Sequence, residues 1–458
     1  MQGLDSLPRL SGAPARLLPD AARVRDLLGR HVLADGYELV LDLEASRGFY
    51  LRDQATGRTF LDLFTFYASN PLGMNHPALA GESEAAEAFR ARLMDAALNK
   101  VANSDVYTAH MARFVETFSR VGIPQHLPHL FLVEGGAAAV ENALKVAFDW
   151  KVRRNWRKGF RGERGTQVLH LERAFHGRSG YTLSLTNTDP TKTALFPKFN
   201  WPRVAAPFVN GPADATDAGE REAQALAQAR AAFEANPDDI AAIITEPIQS
   251  EGGDNHFRPQ FLQGLRDLAD EFEALLIFDE VQTGVGLTGT FWAYQGLGVV
   301  PDVLAFGKKT QVCGMLAGPR IDDEPENVFR VSSRINSTWG GNLADMVRFD
   351  RMLEVIEEED LVANAWRTGA YLKGRLDGLA ERFEAVTNPR GRGLMCAFDL
   401  PDKATRDGVI DRAYDLGAIV LGCGTRSVRF RTALNVTPAQ IDEGLAVVER
   451  ALAETLEA

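Results

Sequence analysis

Apolar positions in this chain are arranged as short runs in its middle and as helical stripes towards its ends. The runs His129–Val133, Gln167–Leu171, Ile240–Thr245, Leu275–Phe278 and Val303–Phe306 are too short for stable helices and are bounded by polar or glycine-containing turns, so they predict strands. Helical stretches separate several of them. One opens after Gly135-Gly136-Ala137, where Val140, Leu144, Phe148 and Val152 recur at every fourth position and share a face. Alternating strands and helices predict an α/β fold, with a mostly parallel sheet flanked by helices.

The pattern differs at both ends. Around residues 38–70 the alternation of Leu39, Leu41 and Leu43, and then of Phe60, Leu61 and Leu63, predicts short antiparallel strands. Helical periodicity takes over from about residue 77, and the Ala/Asp/Gly/Glu-rich stretch Gly211–Arg230 reads as a surface loop leading into a helix. After Asn342 come an amphipathic helix, a strand-like Gly393–Leu400 and a last helix ending near Leu456. The expected division is an N-terminal segment (1–76) that joins a small domain, a large domain (77–344) and a C-terminal small domain (345–458).

Composition narrows the class. With 458 residues, 45% of them hydrophobic and 24% charged, the chain matches an ordinary soluble enzyme and neither a fibre nor a disordered segment. A net charge of −12 argues against a general nucleic-acid or anionic-membrane surface, because both polyanions repel it. The three cysteines, Cys313, Cys396 and Cys423, lie too far apart in sequence for a CxxC metal pattern or a disulfide framework, which leads to the expectation of a reducing, cytoplasmic compartment and no metal. The first stretch, MQGLDSLPRLSGAPARLLPD, has no continuous apolar h-region, and no later segment is long and apolar enough for a membrane span. An unexported protein with a loosely ordered start of roughly 20 residues is expected.

The chemistry concentrates in Ala274–Gly314. One apolar strand delivers Asp279 at its end, and after a glycine-rich crossing a second delivers Lys308 and Lys309. An acid directly after a buried strand loses solvation unless something cationic meets it. Neighbours on an extended strand point to opposite sides, so one of the two lysines is expected to reach a site. An amine and an acid at the ends of two strands suit a pyridine aldehyde such as pyridoxal phosphate, which needs the amine for a Schiff base and the carboxylate to keep its ring nitrogen protonated. Within the crossing, Gly284, Gly286 and Gly289 spell G-x-G-x-x-G. They trail the strand by several polar residues and open no clean helix, so they read as a connection and not as a dinucleotide loop.

The segments ITEPIQSEGG (Ile244–Gly253), FDEVQTG (Phe278–Gly284), AFGKK (Ala305–Lys309) and NSTWGGN (Asn336–Asn342) resemble the class III pyridoxal-phosphate aminotransferases. NKVANSDVYT (Asn99–Thr108) and HLFLVEGGAAAVENALK (His129–Lys145) resemble the branch of that family acting on the ε-amine of L-lysine. The resemblance implies fold-type I and transfer of that amine to 2-oxoglutarate; ornithine, 4-aminobutyrate and diaminobutyrate are the alternative donors, and a non-catalytic scaffold is the alternative outside enzymology. It also implies roles. Lys308, favoured by its spacing from Asp279, carries the cofactor. Gly136 and Ala137 hold its phosphate, Phe175 lies on its ring, Gln282 bonds its phenolic oxygen, and Glu246 sits beside it. Thr338 reaches the phosphate of a neighbouring subunit, which implies a homodimer with shared active sites. Arg178 takes the distal carboxylate of glutamate or 2-oxoglutarate, and Glu251 gates the arginine that binds an α-carboxylate. That arginine maps to Arg429, with Arg431 as the neighbouring candidate, because Thr432-Ala433 stands where the family often has two prolines.

Overall fold

In the computed structural model, which describes residues 18–457, the chain begins its sheets with a hairpin of β1 (Tyr50–Arg52) and β2 (Thr59–Asp62), paired antiparallel. Antiparallel strands were expected here, but Leu39–Leu43 is not one of them. Only an isolated bridge from Leu41 to Asp53 forms, through bonds from the Asp42 amide to Arg52 O (2.9 Å) and from the Gln54 amide to Val40 O (2.7 Å), while the Val40 amide is taken by Asp53 Oδ1 at 3.0 Å. All but the last three positions of the expected loose start lie outside the described residues.

The central sheet is built from β3 (His129–Val133), β4 (Gln167–Leu171), β5 (Arg203–Val204), β6 (Ile240–Thr245), β9 (Leu275–Asp279), β10 (Val303–Phe306) and β11 (Cys313–Ala317). A small ribbon, β7 (Ile248–Gln249) with β8 (Asn255–His256), follows β6. The seven-stranded order is β3-β11-β10-β9-β6-β4-β5. Neighbours from β10 to β5 run parallel, and β11 is antiparallel to both β10 and β3. The strands foreseen from the apolar runs are therefore present. β11 was not foreseen, since Cys313-Gly314-Met315 lacks the β-branched signature of its neighbours.

The period-2 alternation of a strand sorts side chains between two cores. Along β9, Leu276 and Phe278 join the layer formed with Phe114, Phe118, Leu262 and Phe349. Leu275 and Ile277 face the opposite layer with Val140, Leu144 and Trp150 of helix Gly136–Arg157. Each such side chain removed from water contributes about 1.5–3 kcal/mol, so the central strands are pinned from both sides. Their carboxyl ends make a rigid shelf.

The helix expected at the end of Gly211–Arg230 is present as Ala218–Ala235, but the stretch expected as a loop before it is itself largely helical, in Pro212–Thr216. Alanine-rich sequence favours helix, and Pro212 occupies an initial helical turn where its missing N–H costs nothing. Two helices, Leu343–Glu358 and Leu361–Arg382, lead to the four-stranded sheet β12 (Thr387–Arg392), β13 (Met395–Asp399), β16 (Ser427–Arg431) and β15 (Leu421–Cys423). Between them, β14 (Ala418–Ile419) pairs parallel with β2, so both ends of the chain share one three-stranded sheet. The last helix, Pro438–Leu456, ends where the sequence indicated. Among the described residues no helix is long and apolar enough to cross a membrane.

Candidate active site

The parallel register sets the chemistry side by side. Ala305 of β10 is opposite Asp279 of β9, and Phe278 of β9 is opposite Thr245 of β6. Glu246, Asp279 and Lys308 therefore emerge together at the carboxyl ends of adjacent strands, where open α/β sheets bind ligands. A cavity of about 590 Å³ opens there. Of the expected residues, Gly136, Ala137, Phe175, Arg178, Glu246, Glu251, Asp279, Gln282, Lys308 and Arg429 line it. Thr338 does not line it; this residue is exposed in the turn before Gly340.

Asp279 is fixed from two directions. Its Oδ1 accepts from the Val281 amide at 3.1 Å, and its Oδ2 lies 2.8 Å from His176 Nδ1. Sequence reasoning assigns His176 no role. Its signal was proximity to Phe175 and Arg178, but nothing local to the segment reveals a partner 103 positions away. Glu246 is fully enclosed, accepting from the Phe175 amide at 3.0 Å and from the Ser250 amide at 2.9 Å. Burial pushes its carboxyl up to about 7, reinforced by neighbouring Asp279 and opposed by His176. Glu246 thus ties the Phe175 loop to the segment that carries Glu251. That loop also presses on the helix behind it: Gly177 has φ +119°, and a Cβ there would lie 2.7 Å from Ala137 Cβ, so a side chain would push the two segments apart.

Lys308 and Lys309 are not on an extended strand, as the spacing alone suggested. Gly307 ends β10, and Lys308–Thr310 form one 3₁₀ turn, with Lys308 itself left-handed at φ +54°. Strain of this kind is held in place by surrounding structure and concentrates at functional sites. The turn separates the two lysines: Lys308 lines the cavity, whereas Lys309 points into the protein and donates to the carbonyls of Gln282 (2.7 Å) and Ala68 (3.3 Å). Burial lowers the pKa of Lys308, against the pull of Asp279, and lowers that of Lys309 much further.

Ala68 ends a segment that sequence reading missed entirely. Thr65, Phe66, Tyr67 and Ala68 are all left-handed, with φ of 39°, 53°, 61° and 63°, although none is the glycine that such a backbone favours. Asp62 Oδ1 accepts from the amides of Phe64 (3.1 Å) and Thr65 (2.7 Å), and Gln311 Nε2 donates to Ser69 O at 2.8 Å. The clamped turn brings Phe66 and Tyr67 to the cavity wall.

The cavity wall also carries Lys192, Glu251 and Arg429. Arg429 is buried on β16; its Nη2 bonds Glu251 Oε2 at 3.0 Å and its Nη1 bonds Ser250 Oγ at 2.9 Å. Lys192, in the short helix Pro190–Thr193, bonds the other oxygen of Glu251. Arg431, two residues along the same strand, is committed elsewhere. It holds Asp254 in a fork of 2.5 and 2.9 Å, and both of these groups are fully buried. Of the two arginines, Arg429 faces the cavity.

These surroundings fit pyridoxal phosphate. The first turn of helix Gly136–Arg157 has small residues at the cavity, Gly136 and Ala137, and a helix N-terminus offers free N–H groups and partial positive charge to a phosphate. Gln282 Oε1 is a buried acceptor with no protein partner, suited to a phenolic O–H of the ring. An acid for the ring nitrogen and an amine of lowered pKa complete the set.

Comparison with known proteins gives the same answer. The model of the family "Aminotransferase class-III" matches residues 32–452. The L-lysine-epsilon aminotransferase of Mycobacterium bovis is 60% identical over 444 residues, covering 97% of each chain. That of Streptomyces clavuligerus is 54% identical over 429 residues, covering 93% of each. A solved structure of lysine aminotransferase from M. tuberculosis, in the internal aldimine form, superposes with a TM-score of 0.93 at 60% identity, covering 95% of this chain and all of that one. The chain belongs to the class III aminotransferases, fold-type I enzymes that work with pyridoxal phosphate.

Proposed function

We propose that this enzyme moves the ε-amino group of L-lysine to 2-oxoglutarate, forming 2-aminoadipate 6-semialdehyde, which cyclises to piperideine-6-carboxylate, and L-glutamate. The observation that carries the reading is the Glu251–Arg429 pair, with its 3.0 Å contact, in a cavity that also holds Arg178. A donor reacting through its ε-carbon leaves no carboxylate beside the reacting atom, so Arg429 is best kept neutralised. Glutamate and 2-oxoglutarate put an α-carboxylate there, and Arg429 is then needed. Arg178 is the second guanidinium and meets the distal carboxylate with its rigid fork.

When bound, the cofactor supplies the electron sink that makes the amine-bearing carbon acidic. The chain's residues do the rest. Lys308, its amine made less basic by burial, takes the proton from Cε of lysine and later returns one, as general base and then acid. Asp279, held by His176, stabilises the protonated ring nitrogen. Gly136 and Ala137 receive the phosphate, Phe175 covers the ring, Glu246 braces the loop beside it, and Gln282 meets its phenolic oxygen.

The enzyme acts as a homodimer in this reading. Exposed Val106, Tyr107 and Trp339 lie on two segments that Asn103 joins, its Nδ2 donating to Trp339 O at 3.0 Å, and Thr338, next to Trp339, is the residue offered to the neighbour's phosphate. Residues 77–344 form the larger unit, and 345–458 with the first part of the chain form the smaller. Three free, buried thiols suit a reducing cytoplasm.

The test is to compare L-lysine, ornithine, 4-aminobutyrate and diaminobutyrate as donors to 2-oxoglutarate, trapping the cyclised product. Lysine is expected to give the highest kcat/KM; faster turnover of ornithine would overturn the assignment.

A further inference from the structure

Glu251 is held by two cations, and only one of them, Arg429, has a place in the gate described above. Its Oε2 bonds Arg429 Nη2 at 3.0 Å, while its Oε1 is taken by Lys192 Nζ. Arg429 is almost wholly buried, but Lys192 and Glu251 both keep 28% of their side-chain surface exposed. Glu251 therefore hinges between a fixed interior charge and a charge at the cavity rim. Lys192 Nζ also stands 5.7 Å from the centre of the Phe175 ring, within cation–π range, so the same lysine rests on the residue that faces the cofactor position. Asp189 caps the short helix that carries it, accepting from the Thr191 amide at 2.9 Å.

Opening the gate separates Glu251 from Arg429. If Glu251 had no other partner, its released carboxylate would sit in a partly desolvated cavity without compensation, and such a charge is costly. We infer that Lys192 is a positioning residue that retains Glu251 after it leaves Arg429, lowering the cost of opening and so favouring the dicarboxylate half-reaction over the ω-amine half-reaction. The inference rests on the proposed gate and adds its second anchor. Lys192 binds no substrate in this account; it acts through Glu251.

The experiment uses the holoenzyme of the wild type and of Lys192→Met, Lys192→Arg, Glu251→Ala and the double variant Lys192→Met/Glu251→Ala. The half-reactions with L-lysine and with L-glutamate are followed separately from the absorbance of the bound cofactor. Binding of glutarate, a non-reacting dicarboxylate, is measured by calorimetry. In Lys192→Met the ratio of the lysine to the glutamate specificity constant is expected to rise at least tenfold, with glutarate binding weakened by a similar factor. Lys192→Arg restores both. In the Glu251→Ala background, Lys192→Met changes neither, because the group it acts through is gone.

An unchanged ratio in Lys192→Met, an equal loss in both half-reactions, or an undiminished effect in the Glu251→Ala background would each overturn the inference. A wild-type enzyme that accepts neither glutamate nor glutarate would instead overturn the proposed co-substrate, so the two failures are distinguishable.

Discussion

His176 Nδ1 lies 2.8 Å from Asp279 Oδ2, and neither group is free to turn: the imidazole is buried and the other carboxylate oxygen is taken by the Val281 amide. The acid proposed to meet the cofactor ring is thus aimed by a second residue. A hydrogen bond to a charged group contributes about 1.5–3 kcal/mol. His176→Phe, which keeps a flat ring but loses the donor, is expected to lower kcat/KM by roughly 10- to 100-fold. Steady-state kinetics, with a titration of the pyridoxal phosphate absorbance, checks this; full activity at unchanged cofactor affinity would remove His176 from the site.

Lys308→Ala is expected to lower turnover by more than roughly 10³-fold, since the proposed nucleophile and proton carrier are lost together. Mass spectrometry after borohydride reduction is expected to find the cofactor attached to the wild type and absent from the variant. Lys309→Ala should keep the attachment, because its amine serves the carbonyls of Ala68 and Gln282 instead.

Arg429 and Arg431 lie on one strand but should fail differently when replaced. Arg429→Ala is expected to raise the KM for 2-oxoglutarate by roughly tenfold or more, the loss of a charge-assisted pair. Arg431→Met leaves Asp254 buried without its partner, which typically costs about 3–5 kcal/mol. It should appear first as a lower melting temperature. The reverse pattern would exchange their roles.

His170, on β4, accepts from Arg203 Nε at 3.1 Å. Burial, followed by the nearby Arg203 charge, lowers its pKa from 6.5 to about 3. The unfolded chain then takes up this proton before the folded one does. Its contribution is full above pH ~6.5 and is lost as the pH falls towards ~3. Between pH 7 and pH 5 this amounts to roughly 2 kcal/mol. Denaturant titrations at the two pH values should show His170→Gln losing less stability than the wild type over that interval; equal losses would show that His170 is not the group responsible.

How much of this was readable in the sequence depended on how local each signal is. Strands such as Ile240–Thr245 are recognisable because burial on both faces demands uninterrupted apolar residues. Asp279 and Lys308 are recognisable because a charge at the end of such a strand needs a reason. The left-handed turn at Thr65–Ala68 carries no glycine to announce it and is imposed by Asp62, Lys309 and Gln311. The placement of Lys308 in a 3₁₀ turn was missed because strand periodicity was extended past Gly307. Nothing in TDPTK sets Lys192 apart from a solvated surface cation, and only the folded chain brings it to Glu251. The choice between Arg429 and Arg431 likewise turned on a distant residue, Asp254.

The pairing of β14 with β2, sealed by bonds from the Leu61 and Leu63 amides to the carbonyls of Gly417 and Ile419, has a consequence for biosynthesis. A nascent chain emerging from the ribosome presents its first hairpin with an open edge, and the strand that closes it is translated more than three hundred residues later. Contacts so remote in sequence are slow to form, and unpaired edges invite aggregation. Truncation anywhere before Ala418 therefore leaves that early hairpin without its third strand.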